Sequence, residues 1–112
     1  MPLKRPLTAS PSAKTRAVLT RAGANLRLAR LRRRMTMAEV ADRLGVDRRT
    51  VSAMEAGEPQ VASSVLAGAL WVYGLERDFD ALADPERDSL GKGLEARERR
   101  QVSRKKAADN DF

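Results

Sequence analysis

The sequence predicts an all-α fold: a compact domain of five helices with a flexible arm before it and a charged tail after it. Apolar residues recur at spacings of three and four through the centre of the chain, which is the period of a helix. Residues that cap helices precede these segments, and glycines follow them. No run alternates apolar and polar residues as a half-buried strand would.

Composition divides the 112-residue chain into three parts. We predict a flexible basic arm over residues 1–15, because prolines lie among Ser, Thr and Lys at its start. The helical domain is predicted to span residues 16–84, since Pro85 follows the last helical pattern. Residues 85–112 combine many charges with few apolar side chains, which predicts a disordered tail.

The first helix is predicted to begin near Leu19 and to end at a run of arginines, where cations favour a helix C-terminus. Its apolar face is formed by Leu19, Ala22, Leu26 and Ala29. Leu28 and Leu31 lie on another side, so we expect this helix to be contacted from two directions. We expect Gly23 to weaken it.

The second helix is predicted at 37–44, because Thr36 and Glu39 have the spacing of a capping box. Gly45 is expected to end it in a left-handed conformation.

Asp47 is expected to cap the third helix, at about 48–55, with Val51 and Met54 on its buried side. Two short helices joined by a tight glycine turn form a helix-turn-helix unit. Ala41 is expected to be small because the third helix crosses close over the second.

The fourth helix is predicted at about 62–73, with a cap near Gln60 or Ser63 and a stop at Gly74. We expect Trp71 to pack against the first or the fifth helix. The fifth helix, at about 76–82, presents an apolar set that suits a monomer core and a dimer seam equally: Leu75, Phe79 and Leu82.

The composition favours a polyanionic partner. The 22 Lys and Arg against 15 Asp and Glu give a net charge of +7, which suits nucleic acid or an anionic membrane surface. The absence of Cys and His excludes thiol and imidazole chemistry and ordinary zinc sites, so we expect no enzyme, no metal and no cofactor. No apolar run approaches a membrane span of roughly 20 residues, and we expect a cytoplasmic protein.

The segment TMAEVADRLGVDRRTVSAMEAG resembles the motif of the XRE family, the phage-repressor-like helix-turn-helix regulators. The resemblance extends from about Leu19 to Leu82. It implies a five-helix domain that binds an operator in double-stranded DNA as a homodimer. It places base contacts on Arg48, Arg49, Thr50 and Ala53, and contacts to the DNA backbone on Thr36, Met37, Asp47 and Ser52.

The resemblance also implies a structural ion pair between Arg30 and Glu55. Two positions depart from the family pattern. Met37 stands where many members have glutamine, and Ala53 stands where many have a long polar side chain. Direct readout would therefore depend heavily on two arginines, Arg48 and Arg49.

The layout of the chain is similar to HipB-like antitoxins, which repress their own operon and bind a HipA-type kinase toxin. On that interpretation Phe112 and nearby acids would anchor the tail on the toxin. An ordinary or phage-type repressor without a toxin partner is the alternative. An RNA-associated basic protein is a second one, although such proteins usually present aromatic stacking positions.

Overall fold

A computed structural model of the chain describes residues 12–109, and every element in this range is helical. The elements are α1 (Ala13–Arg32), α2 (Met37–Leu44), α3 (Arg48–Glu55), α4 (Ser63–Tyr73), α5 (Glu76–Asp80), a 3-10 helix (Pro85–Arg87) and α6 (Ser89–Asp109). The predicted all-α class is confirmed for these residues, and α2 and α3 have the predicted bounds.

The chain divides into two units between Phe79 and Asp80, inside α5. The first unit contains α1 to α4, and the second contains the 3-10 helix and α6. The division predicted from composition, after residue 84, lies slightly further along the chain.

The helix α1 begins earlier than the sequence pattern predicted. Ser12 caps it, and its hydroxyl accepts a hydrogen bond from the backbone N–H of Thr15 at 3.2 Å. The first turns of α1 are exposed and carry no apolar period, so the prediction of a start near Leu19 was wrong. The predicted arm over residues 1–15 therefore overlaps a helix at its end, and the rest of it lies outside the described residues.

The core of the first unit lies where α3 packs against α1 and α2, with α4 packed on the same two helices. Among the described residues its buried apolar side chains are Leu26, Ala29, Val40, Ala41, Val51, Met54, Ala69 and Tyr73. Val40 and Val51 are fully buried, and Ala41 is 4% exposed. The prediction that α3 crosses closely over a small residue at position 41 agrees with this packing.

The predicted second apolar side of α1 is solvent-exposed in the described chain. Leu28 is 46% and Leu31 is 45% exposed. Ala22, which was predicted to face the core, is exposed as well. Only one face of α1 is therefore covered, and the contact from a second direction is not found.

Glycine at position 23 permits α1 to approach the end of α3 at backbone distance. A methyl group on Gly23 would lie 2.5 Å from the backbone oxygen of Glu55 and 2.7 Å from that of Met54. Gly57 makes a similar approach to α1, where a methyl group would lie 2.6 Å from the backbone oxygen of Leu19. The expectation that Gly23 merely weakens α1 was wrong, because the helix packing leaves no room for a side chain there.

The helix α4 ends as predicted and begins differently. Gly74 closes it in the left-handed conformation, with φ of 74°. Ala62 occupies the N-cap position without a side-chain hydrogen bond, so neither Gln60 nor Ser63 acts as the predicted cap. The backbone N–H of Val65 in the first turn instead donates a hydrogen bond to the backbone oxygen of Ala62 at 3.0 Å.

Trp71 does not pack against α1 or α5, because it is 72% exposed. Ala69 and Tyr73 lie four residues apart on the buried side of α4. Trp71 is two residues from each and therefore falls about 200° around the helix from both. The prediction that Trp71 is buried was wrong for this reason.

The second unit contains regular structure where the sequence predicted a disordered tail. Asp84 caps the 3-10 helix that begins at Pro85, so Pro85 starts an element rather than ending the ordered part. The Asp88 carboxylate accepts a hydrogen bond from the N–H of Gly91 at 2.8 Å at the start of α6. Lys92 bridges to the Glu86 carboxylate at 3.0 Å.

The helix α6 buries none of its residues, and its composition explains why it is helical. It is rich in Leu, Ala, Arg, Lys, Glu and Gln, all good helix formers. Our prediction weighed the lack of apolar surface and overlooked this local preference. Phe112, the proposed tail anchor, lies outside the described residues. None of the described helices combines the length and the apolar character needed to cross a membrane.

Replacing Gly23 by alanine should destabilise the first unit by about 1–3 kcal/mol, because the added methyl forces α1 away from α3. Urea unfolding followed by circular dichroism measures this change. Gly93→Ala is the control, since a methyl there meets nothing within 4 Å. Alanine should raise helix content at that position. A Gly23→Ala variant as stable as the wild type would contradict the close approach.

Candidate nucleic-acid interface

The start of α2 is fixed by a reciprocal pair of hydrogen bonds. The Thr36 hydroxyl accepts from the backbone N–H of Glu39 at 3.1 Å, and the Glu39 carboxylate accepts from the backbone N–H of Thr36 at 3.1 Å. Both members of the predicted capping box are therefore present. They set the point at which α2 begins and hence the position of the turn that follows it.

The turn between α2 and α3 depends on Gly45. Its φ is 67°, a left-handed value that L side chains rarely adopt, and its N–H bonds to the backbone oxygen of Asp42 at 3.2 Å. The N–H of Val46 reaches back to the oxygen of Ala41 at 3.0 Å. These two bonds close α2 and direct the chain into α3 within three residues.

Asp47 caps α3 as predicted. Its carboxylate accepts a hydrogen bond from the backbone N–H of Arg49 at 2.8 Å. This hydrogen bond, helped by the positive charges of Arg49 and Arg48, lowers the pKa of Asp47. The side chain of Arg49 also returns to the carboxylate, with 3.5 Å between Nε and Oδ1.

The helix α3 buries one side and exposes the other. Val51, Met54 and Glu55 are buried, whereas Arg48, Arg49 and Ser52 are exposed. The side chain of Arg49 is 92% exposed. Thr50 and Ala53 are half-buried. The structure thus exposes three of the predicted contact residues of α3, among them the two arginines of its first turn, and partly covers the other two.

The residues predicted to contact the DNA backbone are arranged less uniformly. The Thr36 hydroxyl is engaged with Glu39, and Met37 is half-buried against the core. Asp47 is an exposed carboxylate committed to the α3 cap. Ser52 alone combines an exposed side chain with a position on the outer face of α3. For all four residues the backbone contact stays a prediction.

Arg30 and Glu55, the pair that the resemblance implied, are joined by two hydrogen bonds. Arg30 donates from Nε at 2.7 Å and from Nη2 at 2.9 Å to the two carboxylate oxygens. A third donor, Nη1, bonds to the backbone oxygen of Met35 at 2.9 Å. The side chains are 7% and 3% exposed. The hydrogen bond to Glu55 raises the pKa of Arg30 despite the opposing effect of burial.

Arg33 makes a second link that the sequence analysis missed. Its guanidinium donates to the backbone oxygen of Tyr73 at 3.0 Å and to that of Ala29 at 2.9 Å. It also lies 5.7 Å from the centre of the Tyr73 ring. Arg33 therefore ties the end of α1 to the end of α4. No local spacing could reveal it, because the partners are 40 residues apart.

Tyr73 is enclosed beside these two arginines. It is 3% exposed, and its hydroxyl has no hydrogen-bond partner among the described residues. Burial raises the pKa of the Tyr73 phenol, and the charge of Glu55 acts in the same direction.

The surface around the motif is basic on the α1 side. The helix α1 contains no Asp or Glu, and it exposes Lys14 and four arginines, since its fifth, Arg30, is buried in the ion pair. A basic surface with two exposed arginines at the start of a helix is suited to double-stranded DNA, which combines a polyanionic backbone with hydrogen-bonding base edges in its major groove.

The geometry defines a helix-turn-helix domain of the DNA-binding kind. Two capped helices are joined by a left-handed glycine, and the second helix presents an exposed basic turn. A family model described as a helix-turn-helix domain matches residues 21–82, which is more than half of the chain. The chain therefore belongs to this helix-turn-helix family. No curated protein and no solved structure matches it.

Removing either partner of the ion pair should be strongly destabilising. Arg30→Ala and Glu55→Ala should each lower the free energy of unfolding by about 3–5 kcal/mol, because each leaves a buried charge without a partner. The double variant should lose less than the sum of the two. Urea unfolding of all four proteins in a double-mutant cycle measures the coupling. Two small, additive effects would show that the pair does not form.

The Asp47 cap should give α3 a pH-dependent stability. Because the pKa of Asp47 is lowered, its charged form stabilises the fold above the ordinary value of 3.8, and this contribution is lost as pH falls through the lowered pKa. The gap in stability between wild type and Asp47→Ala should therefore shrink on acidification. Asp47→Asn, which keeps an oxygen for the cap, is the matched control. A gap that stayed constant with pH would rule out a role for the charge.

Proposed function

We propose that the protein is a sequence-specific transcriptional repressor that binds operator DNA as a homodimer, with α3 in the major groove. One observation carries the proposal most strongly. Arg48 and Arg49 are exposed in the first turn of a helix that the helix-turn-helix fold dedicates to DNA. The resemblance to XRE-family regulators supports the finer assignment.

The two arginines supply the sequence information under this proposal. An arginine guanidinium can donate two parallel hydrogen bonds to O6 and N7 of guanine, a pattern that no other base pair edge offers in the major groove. The half-buried Ala53 offers only a methyl group, which suits a thymine methyl. The preferred half-site should therefore be rich in guanine at the positions opposite the first turn of α3.

The scaffold contributes affinity without sequence information. The exposed cations of α1 are suited to phosphate oxygens. These contacts would set the register of α3 on the duplex. Two copies related by a two-fold axis would read half-sites about 10 bp apart.

RNA association is the less favoured function. Sequence-specific RNA binding uses exposed aromatic side chains on which bases stack. Among the described residues Trp71 is exposed, but Tyr73 is buried and Phe79 is half-buried, so no stacking platform is assembled. A role as the antitoxin of a HipA-type kinase stays a prediction from the layout of the sequence. On that prediction Phe112, which lies outside the described residues, would anchor the tail on the partner.

Arg48→Ala and Arg49→Ala should each weaken binding to the preferred site by about 1–3 kcal/mol and weaken binding to random duplex much less. A preferred site can be selected from a pool of random duplexes with the wild type. Titrations at fixed salt, on that site and on a scrambled one, measure the difference. Arg77→Ala removes an exposed cation from α5 and is the matched control. Equal losses on both duplexes would mean that Arg48 and Arg49 contact only phosphate.

A further inference from the structure

The exposed face of α4 forms an apolar groove beside the turn of the helix-turn-helix motif. We call it the α4 groove: Leu44 and Val46 line it from the end of α2 and the turn, and Val65, Trp71 and Val72 line it from α4. Its volume is about 320 Å³. The helices approach closely beneath it, since a methyl on Gly68 would lie 2.8 Å from a Leu44 methyl carbon.

Trp71 is the feature of this groove that the monomer does not explain. It is 72% exposed, whereas Ala69, Leu70 and Tyr73 of the same helix pack on the core. Trp and Tyr are enriched among the residues that carry binding energy at interfaces between proteins. A side chain of this size next to an unfilled apolar groove is arranged to be covered by another surface.

Charge indicates that the covering surface is a second copy of this chain. The protein carries a net charge of +7, so two copies repel each other at long range. The eleven residues of α4 include no Asp, Glu, Lys or Arg. Among the residues that line the groove, Arg43 alone is charged. The α4 face is thus a region where a second copy can approach without an array of like charges.

We propose that the α4 groove is the two-fold interface of the dimer, with Trp71 of each copy entering the groove of the other. A two-fold contact requires one patch to hold both the projecting group and its receptor, and this patch does. Each indole would lie beside its counterpart, in the offset arrangement that aromatic pairs prefer. The groove has room for one such side chain. This inference rests on the proposed homodimer and names the surface that forms it.

The size of the groove also predicts the strength of the contact. Stable interfaces bury about 800 Å² on each partner, whereas one groove and one indole supply only part of that area. The free protein should therefore exchange between monomer and dimer, and two adjacent half-sites should favour the dimer by holding two copies together. Residues Leu75, Phe79 and Leu82, the seam considered from the sequence, are not needed for this contact.

The single tryptophan of the chain makes the proposal directly measurable. In a concentration series of the full-length protein, Trp71 emission should shift to the blue and become protected from acrylamide as dimer forms. Sedimentation of the same samples gives the dimer population. Emission and quenching that stay those of an exposed indole, both free and on the two-half-site duplex, would overturn the proposal.

Variants assign the interface to one surface. Trp71→Glu should weaken the dimer about 30-fold or more, the loss typical of a residue at the centre of an interface. Leu82→Glu, at a side chain that is 63% exposed outside the groove, is the matched control and should leave the dimer unchanged. Unchanged circular dichroism would show that both variants fold. A dimer that survives Trp71→Glu, or that is lost in Leu82→Glu instead, would overturn the α4 assignment.

DNA binding separates this inference from the proposed function. Trp71→Glu should bind a duplex with one half-site as the wild type does and should lose only the added affinity of the second half-site. Arg48→Ala should keep the dimer and lose the preferred site. If the wild type dimerises through Trp71 but prefers no sequence, the proposed repressor function fails and the interface stands.

Discussion

The bidentate contact between Arg30 and Glu55 determines where α3 can lie. Glu55 is the last residue of α3, and Arg30 belongs to the last turns of α1, so one buried ion pair joins the second helix of the helix-turn-helix motif to the longest helix of its unit. The third donor of Arg30 holds the chain at Met35, just before α2. A single guanidinium therefore fixes α1, the entry to α2 and the end of α3 relative to one another.

The backbone around this ion pair is shaped to let it form. Gly23 and Gly57 permit α1 to contact the end of α3 without intervening side chains, and that approach brings Arg30 within reach of Glu55. Arg33 completes the arrangement by joining α1 to the last residue of α4. Buried charge and close packing support each other here, since a looser contact would admit water and weaken the pair.

Much of the motif could be predicted because its signals are local. Thr36 with Glu39, Gly45 and Asp47 each act on neighbours within four residues, so the bounds of α2 and α3 followed from spacing. The contacts that fix α3 against α1 are distant in sequence. The role of Gly23 depends on backbone atoms of Met54 and Glu55, and that of Arg33 depends on Tyr73. The contacts of these residues cannot be predicted from composition or from the spacing of apolar residues. Gly23 was even expected to weaken α1, whereas it permits the close packing of α1 on α3.

Two further failures had a different origin. Helix α6 was missed in the sequence analysis because an ordered helix was expected to have an apolar face. The helix instead consists largely of residues with high intrinsic helix propensity. Trp71 was placed inside because a large aromatic in an apolar helix is usually buried, although its position relative to Ala69 and Tyr73 points outward. The residues of α3 that are predicted to contact DNA were identified as a set from the motif, and the structure exposes both arginines among them.

In the free protein the side chain of Arg49 already has a partner, since its Nε lies 3.5 Å from Oδ1 of the Asp47 carboxylate. Under the proposed function, a DNA base that binds the Arg49 guanidinium must compete with the Asp47 carboxylate for its hydrogen-bond donors. Guanine, with two acceptors on one edge, can compete with a carboxylate, whereas a base with a single acceptor or a facing donor is at a disadvantage. A carboxylate that competes for the guanidinium in this way weakens binding to a wrong base more than to guanine, so Asp47 would sharpen discrimination by Arg49 through this contact.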